Sequence, residues 1–277
     1  IKGGGYTLIL DEVASVVDIM NITKKDLTNI LQNYAHVDEG LLIWDDMEYE
    51  GKFGDIMRMS LNRCVGIYGD TALIWCFPIE IFKAFKEVYI LTYMFDAQIQ
   101  KYYYDFYGLE YDRLYVEHVN DTYRFTQNHT EYDYKISNVD ICENESLNIV
   151  GDDFNALSVS WFTRKKLEEG RPMINLLKNN VCNYFKHIKK STSAQNMWTT
   201  FKHYKKMLQG GGYTRGFVSV NARATNEYKH KQHLAYCANI FVNPVLVKFF
   251  AQRDIIIDEE KYALSELVQW VWRSAIR

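Results

Sequence analysis

The sequence lacks the features that mark membrane or secreted proteins. No apolar run reaches the roughly 18 residues a membrane helix requires, and no signal peptide opens the chain. Cysteine is sparse and scattered. Cys64, Cys76, Cys142, Cys182 and Cys237 form no C-x-x-C pair and have no histidine at ligand spacing, which argues against zinc. An odd count at wide intervals suits reduced thiols and a cytoplasmic location. Internal repeats and low-complexity segments are missing too. So is a phosphate-binding G-x-x-x-x-G-K-[ST] loop, because neither Gly3–Gly5 nor Gly210–Gly212 is followed by lysine. The chain has no initiator methionine and stops at Arg277 inside an apparent helix, so both ends are expected to be cut.

Acidic residues are nearly missing from one long stretch. Residues 161–234 carry 15 Lys/Arg against three acids, and His187, His203, His230 and His233 lie there as well. Residues 1–160 show the opposite balance, 12 Lys/Arg against 27 Asp/Glu, while residues 235–277 are even at five each. The net charge of −3 hides this asymmetry. So basic a block in an otherwise acidic chain points to a polyanion, most simply nucleic acid, with DNA favoured over RNA. The competing explanation is a solvated Lys-rich helical face.

What is present describes a folded protein. At 277 residues with 48% hydrophobic and 24% charged residues, the chain can build two domains, each with its own core. Tyr6–Leu10 reads as a strand and Val13–Met20 as helical. Thr23 opens a helix through Tyr34, with Leu27, Ile30 and Leu31 at helical spacing. Leu41–Trp44 is expected as a strand, Phe53–Asn62 as a short helix, and Cys64–Tyr68 with Thr71–Phe77 as a hairpin around Gly69-Asp70. Pro78 opens a short helix through Phe85. Val88–Leu91 is a second apolar strand, and Met94–Tyr107 a helix. Residues 111–160 are polar and weakly periodic, which suits a bridge or insertion. Beyond them the expected helices are Pro172–Lys189, Ala194–Leu208, Tyr228–Asn239, Pro244–Ala251 and Glu259–Ile276, with a strand at Gly216–Val220.

Four constellations could carry chemistry. Asp11-Glu12 directly follows the apolar strand Tyr6–Leu10, as when a buried strand delivers carboxylates to the rim of a nucleotide site. Two acids at a helix N-terminus would look the same. Thr92 follows the second apolar strand, where a hydroxyl can bond a catalytic carboxylate, or simply cap the next helix. The loop from Asn221 to Asn226 holds Arg223 and Thr225 and can reach a phosphate backbone, or serve as a turn rich in local hydrogen bonds. Gln269, Arg273 and Arg277 form a row along the last helix that can reach a γ-phosphate, or remain an exposed amphipathic face. Leu264, Leu267, Val268 and Val271 are that helix's expected core stripe.

The order of these signals resembles the motor core of superfamily 2 helicases and translocases, from the Walker B motif to the last motif. The family's Asp-Glu-Ala-x sequence is matched by Asp11-Glu12-Val13-Ala14, and its Ser-Ala-Thr motif only at Thr92. The Asn221–Asn226 loop looks like the fifth motif. The sixth, QxxGRxxR, is met by Gln269 and Arg273, with Trp272 in place of glycine and Arg277 one residue late. The chain also looks like helicase-like proteins of phage or prophage origin.

The resemblance implies an α/β protein of two RecA-like domains, the first truncated at its N-terminus. Their expected spans are residues 1–110, a bridge at 111–160, and a basic second domain at 161–277. ATP would lie between the domains and nucleic acid across both, with no membrane involved. Asp11 would hold Mg²⁺ through water, and Glu12 would orient the hydrolytic water. Thr92 would sense the nucleotide. Gln269, Arg273 and Arg277 would face the γ-phosphate, with Arg273 as the arginine finger. Asn221, Arg223, Thr225 and Asn226 would touch the nucleic acid. The Walker A loop is expected upstream of Ile1, so these 277 residues alone should hydrolyse ATP poorly. The rivals are a non-catalytic nucleic-acid-binding module and a phage DNA-packaging type of P-loop ATPase.

Overall fold

A computed structural model of the chain describes residues 5–128, 139–222 and 227–276. The backbone divides into two compact units. One comprises Ile1–Arg113 and Val242–Tyr262, the other Leu114–Phe241 and Ala263–Arg277. The stretch 111–160, expected as a bridge or insertion, is shared between the two units. Tyr111–Arg113 fall in the first unit and the rest in the second. There Val150 enters the core with Trp161, and Asn180 donates its side-chain amide to the Leu147 carbonyl at 2.9 Å.

The first unit begins with β1 (Thr7–Leu10). Val13–Val16 are irregular and lead into β2 (Val17–Met20), so the helix expected over Val13–Met20 is absent. Val16 and Val17 are buried, and Ile19 pairs with Ile74 on a neighbouring strand, an arrangement that suits β-branched side chains. Helix α1 (Lys24–Asn33) starts where expected, because the Thr23 hydroxyl accepts the Asp26 backbone N–H at 3.1 Å. β3 (Ala35–Asp38) and β4 (Leu41–Trp44) turn at Gly40, whose φ of +73° favours glycine. After α2 (Gly54–Leu61), β5 (Val65–Tyr68) and β6 (Ala72–Cys76) form the hairpin around Gly69-Asp70. The five strands lie in the order β2-β6-β5-β4-β3, antiparallel throughout.

Pro78 introduces the short α3 (Ile79–Lys83), and β7 (Glu87–Ile90) then pairs with β1 in parallel. A RecA-like domain rests on a mainly parallel sheet. Among the described residues of this unit, parallel pairing is confined to β1 and β7. The helix expected from Met94 begins later. Met94 sits at φ +52°, one 3₁₀ turn follows, and α4 runs over Ile99–Phe106. Its Tyr102, Tyr103, Tyr104 and Phe106 are core residues.

The second unit opens with the hairpin β8 (Tyr115–Val119) and β9 (Thr122–Thr126), then α5 (Glu145–Asn148), α6 (Val159–Leu167) and α7 (Pro172–Asn183). A π-turn over Tyr184–Ile188 extends α7. Two expected helices are replaced by strands. Ala194–Leu208 contains β10 (Asn196–Thr199) and only the short α8 (Lys205–Leu208), and Tyr228–Asn239 contains β11 (His233–Tyr236). β10 and β11 pair in parallel, Asn196 opposite His233 through Thr199 opposite Tyr236. Asn196 through Thr200 are all fully buried, and a helix would have turned part of that run to solvent. The strand expected at Gly216–Val220 reduces to a single parallel bridge between Phe217 and Trp198.

The chain returns to the first unit through α9 (Pro244–Ala251), whose Phe249 and Phe250 join its core. The last helix, α10 (Glu259–Val271), stops five residues short of the expected Ile276. Its buried residues are Ser265, Glu266 and Trp270 rather than the apolar stripe. Leu264 is 47% exposed, because Trp270 takes the inward position against Met197 and Val218. Among the described residues no helix is long and apolar enough to cross a membrane.

Candidate functional site

Leu10 lies opposite Ile90 in the parallel register of β1 and β7, and the Leu91 N–H donates to the Leu10 carbonyl at 2.8 Å. Both strands are therefore still paired where they end. Asp11-Glu12 and Thr92 consequently emerge at the same C-terminal edge, where ligands of parallel α/β sheets bind. Neither group serves a helix terminus. No helix follows Asp11-Glu12, so the pair does not serve a helix dipole. Thr92 does not cap α4, which starts at Ile99 with Gln98 at its N-cap.

Asp11 is exposed and forms no ion pair among the described residues, while Glu12 and Thr92 are half-buried. The Thr92 hydroxyl makes a long 3.5 Å hydrogen bond to the Tyr93 carbonyl. Gln100, not picked out in the sequence, supports this edge. It is 1% exposed, accepts the Ala14 backbone N–H at 2.8 Å and donates to the Tyr104 hydroxyl at 3.0 Å. No signal in the sequence marks Gln100 as buried.

Two carboxylates and a hydroxyl make an all-oxygen donor set, which suits Mg²⁺. No group of three or more His, Cys, Asp or Glu that could hold a metal occurs among the described residues. A cation here would complete its shell with water and phosphate oxygens, as Mg²⁺ does with a nucleotide. Cysteine chemistry has no footing at two further positions, since burial pushes the thiols of Cys76 and Cys237 up to about 12.

The remaining expected site residues belong to the second unit. Arg223, Thr225, Asn226 and Arg277 lie outside the described residues. Asn221 is exposed in a turn and accepts the Ser219 hydroxyl at 2.6 Å. Gln269 is half-buried on α10 beside Trp270, whose indole N–H donates to the Val218 carbonyl at 3.4 Å. Arg273 lies beyond the end of α10, so Gln269 and Arg273 do not share a face of that helix. Sequence reasoning missed Thr199 and Thr200. Both are fully buried at the C-terminal end of β10, and their hydroxyls have no partner among the described residues.

The basic block divides into structural and free cations. Lys165 bridges Asp153 and Glu168 at 2.9 Å each, and Lys189 holds Asp140 at 2.6 Å. Lys186, Lys190, Lys202, Lys206, Arg215 and Lys229 are exposed and form no ion pair among the described residues.

Two family models match parts of the chain. Residues 133–277 match the family model of the YonV C-terminal Rossmann-like domain, which covers the parallel pair β10–β11. Residues 17–75 match that of the YonV middle domain, which covers nearly all of the antiparallel sheet between β1 and β7. The chain is 44% identical over 290 aligned residues to the SPbeta prophage-derived protein YonV of Bacillus subtilis (strain 168), covering 100% of this chain and 69% of that protein. No solved structure matches it.

Proposed function

The chain belongs to the YonV family, and we propose that it is part of an ATP-dependent nucleic-acid motor of the superfamily 2 helicase or translocase kind. One observation carries the reading. The parallel pairing of β1 with β7 releases Asp11-Glu12 and Thr92 at a common edge. In this reading β1 and β7 are neighbouring strands of a RecA-like sheet, the antiparallel sheet is an insertion between them, and the Rossmann-like unit is the second RecA-like domain.

Mg·ATP, when bound, would supply the phosphoryl group and the metal. Asp11 would hold the cation through water, Glu12 would orient the attacking water, and Thr92 would relay the state of the nucleotide. The exposed cations of the second unit draw in nucleic acid, DNA before RNA, in the cytoplasm. Roles for Gln269 and Arg273 at the γ-phosphate, and for Asn221, Arg223, Thr225 and Asn226 on the nucleic acid, rest on the resemblance alone. The phosphate-cradling lysine would come from outside these 277 residues.

The test is ATP turnover by the full-length protein with and without single-stranded DNA. Glu12→Gln should lower DNA-stimulated turnover about 10²- to 10³-fold and leave ATP binding in place. Unchanged turnover in that variant would reject the assignment. DNA binding without any turnover in the wild type would favour a non-catalytic nucleic-acid-binding module, a second reading supported by the exposed cations without ion pairs among the described residues.

A further inference from the structure

Lys231 lies two residues before β11 and is 7% exposed. Its ammonium donates to the Ser193 carbonyl at 3.3 Å and meets no carboxylate among the described residues. Other sheltered lysines of this unit are neutralised, Lys165 by Asp153 and Glu168 and Lys189 by Asp140. Lys231 is not. Beside it the Ser193 hydroxyl is buried without a hydrogen-bond partner among the described residues. A buried ammonium with a single long hydrogen bond, made to the residue whose hydroxyl is unused, and no countercharge among the described residues leaves donor capacity unfilled.

The surroundings are positive. Ser193 sits on the 189–195 loop leading into β10, which also carries Lys189 and Lys190. His233, two residues after Lys231, has its imidazole pKa lowered by burial and then by the charge of Lys189. Burial likewise lowers the pKa of Lys231. The acid drawn to this cluster, Asp140, is already held by Lys189. An apolar side chain of similar length would fill the Lys231 position without this desolvation penalty. The unneutralised cation therefore calls for an occupant that brings negative charge and several acceptor oxygens.

We propose that Lys231 Nζ and Ser193 Oγ form the buried end of a phosphoryl-oxyanion site in the second unit. The oxyanion is either a nucleic-acid backbone phosphate or a free phosphate group. The site does not depend on the nucleotide reading above, whose residues Asp11, Glu12 and Thr92 lie in the other unit.

Thermal melting of the whole chain in inorganic phosphate, against chloride at matched ionic strength, tests it. Wild type should gain a saturable rise in Tm that Lys231→Met abolishes and Ser193→Ala weakens. In chloride, Lys231→Met should melt no lower than wild type, because it removes an unpaired buried charge. Binding of a fluorescent single-stranded oligonucleotide separates the two sources. A backbone phosphate in the site makes the salt dependence of wild type steeper than that of Lys231→Met by about one unit. Equal slopes, with the phosphate-induced rise lost in the variant, assign free phosphate. The site is overturned if phosphate leaves the wild type unmoved and the slopes are equal. It is also overturned if the rise survives Lys231→Met, or if that variant melts well below wild type in chloride.

Discussion

Ala14 donates its backbone N–H to the side-chain carbonyl of Gln100 at 2.8 Å, tying the segment after Asp11-Glu12 to the helix that follows Thr92. One buried amide thus braces both strand exits of the candidate site. Gln100→Leu keeps the volume but strands the Ala14 N–H and the Tyr104 hydroxyl. It should cost about 1–3 kcal/mol, read as a lower urea midpoint with an unchanged m-value. A midpoint equal to that of wild type would show that water serves Ala14 equally well.

Gly66 on β5 lies directly beneath Phe249 of α9. A Cβ at Gly66 would stand 2.5 Å from the Phe249 ring, so Gly66→Ala must displace a core aromatic. The expected loss is about 1–3 kcal/mol by chemical denaturation. Pairing it with Phe249→Leu should return part of that loss, giving a coupling energy of about 0.5 kcal/mol or more in a double-mutant cycle. Simple additivity would mean that α9 does not rest on Gly66 in solution.

Asp153 sets an acid limit on the second unit. Hydrogen bonds from Lys165 and then Trp161, each at 2.9 Å, hold its carboxyl below the usual range. A carboxyl with a depressed folded pKa contributes stability above its unfolded value of about 3.9 and loses it as pH falls through the folded value. The urea midpoint should stay level from neutral pH to about pH 5 and decline below about pH 4. Asp153→Asn should begin lower at neutral pH and decline less. Parallel pH profiles for the two proteins would remove this role.

Legibility in the sequence followed the range of the forces involved. Thr23 capping α1, Gly69-Asp70 turning β5 into β6 and Pro244 opening α9 act within a few residues, so local chemistry announced them. The local pattern of Val13–Met20, Ala194–Leu208 and Tyr228–Asn239 predicts helix, yet each contains a strand. Their partners are β6 for the first and each other for the last two, all distant in sequence. Asp11, Glu12 and Thr92 were visible because short polar groups directly after apolar strands stand out. Gln100, Lys231 and Ser193 were not, because nothing in a sequence distinguishes a buried polar side chain from a solvated one.

By itself the sequence determined the acidic–basic division of the chain, the strand exits carrying Asp11-Glu12 and Thr92, and the locally capped helices. Tertiary structure alone decided that β1 and β7 are neighbours, that the sheet between them is antiparallel, and that Lys231 is buried without a carboxylate among the described residues. The physical reason is common to all three. Capping and turn formation are settled between residues close in the chain, whereas strand partnership and desolvation depend on which distant segments come to lie alongside.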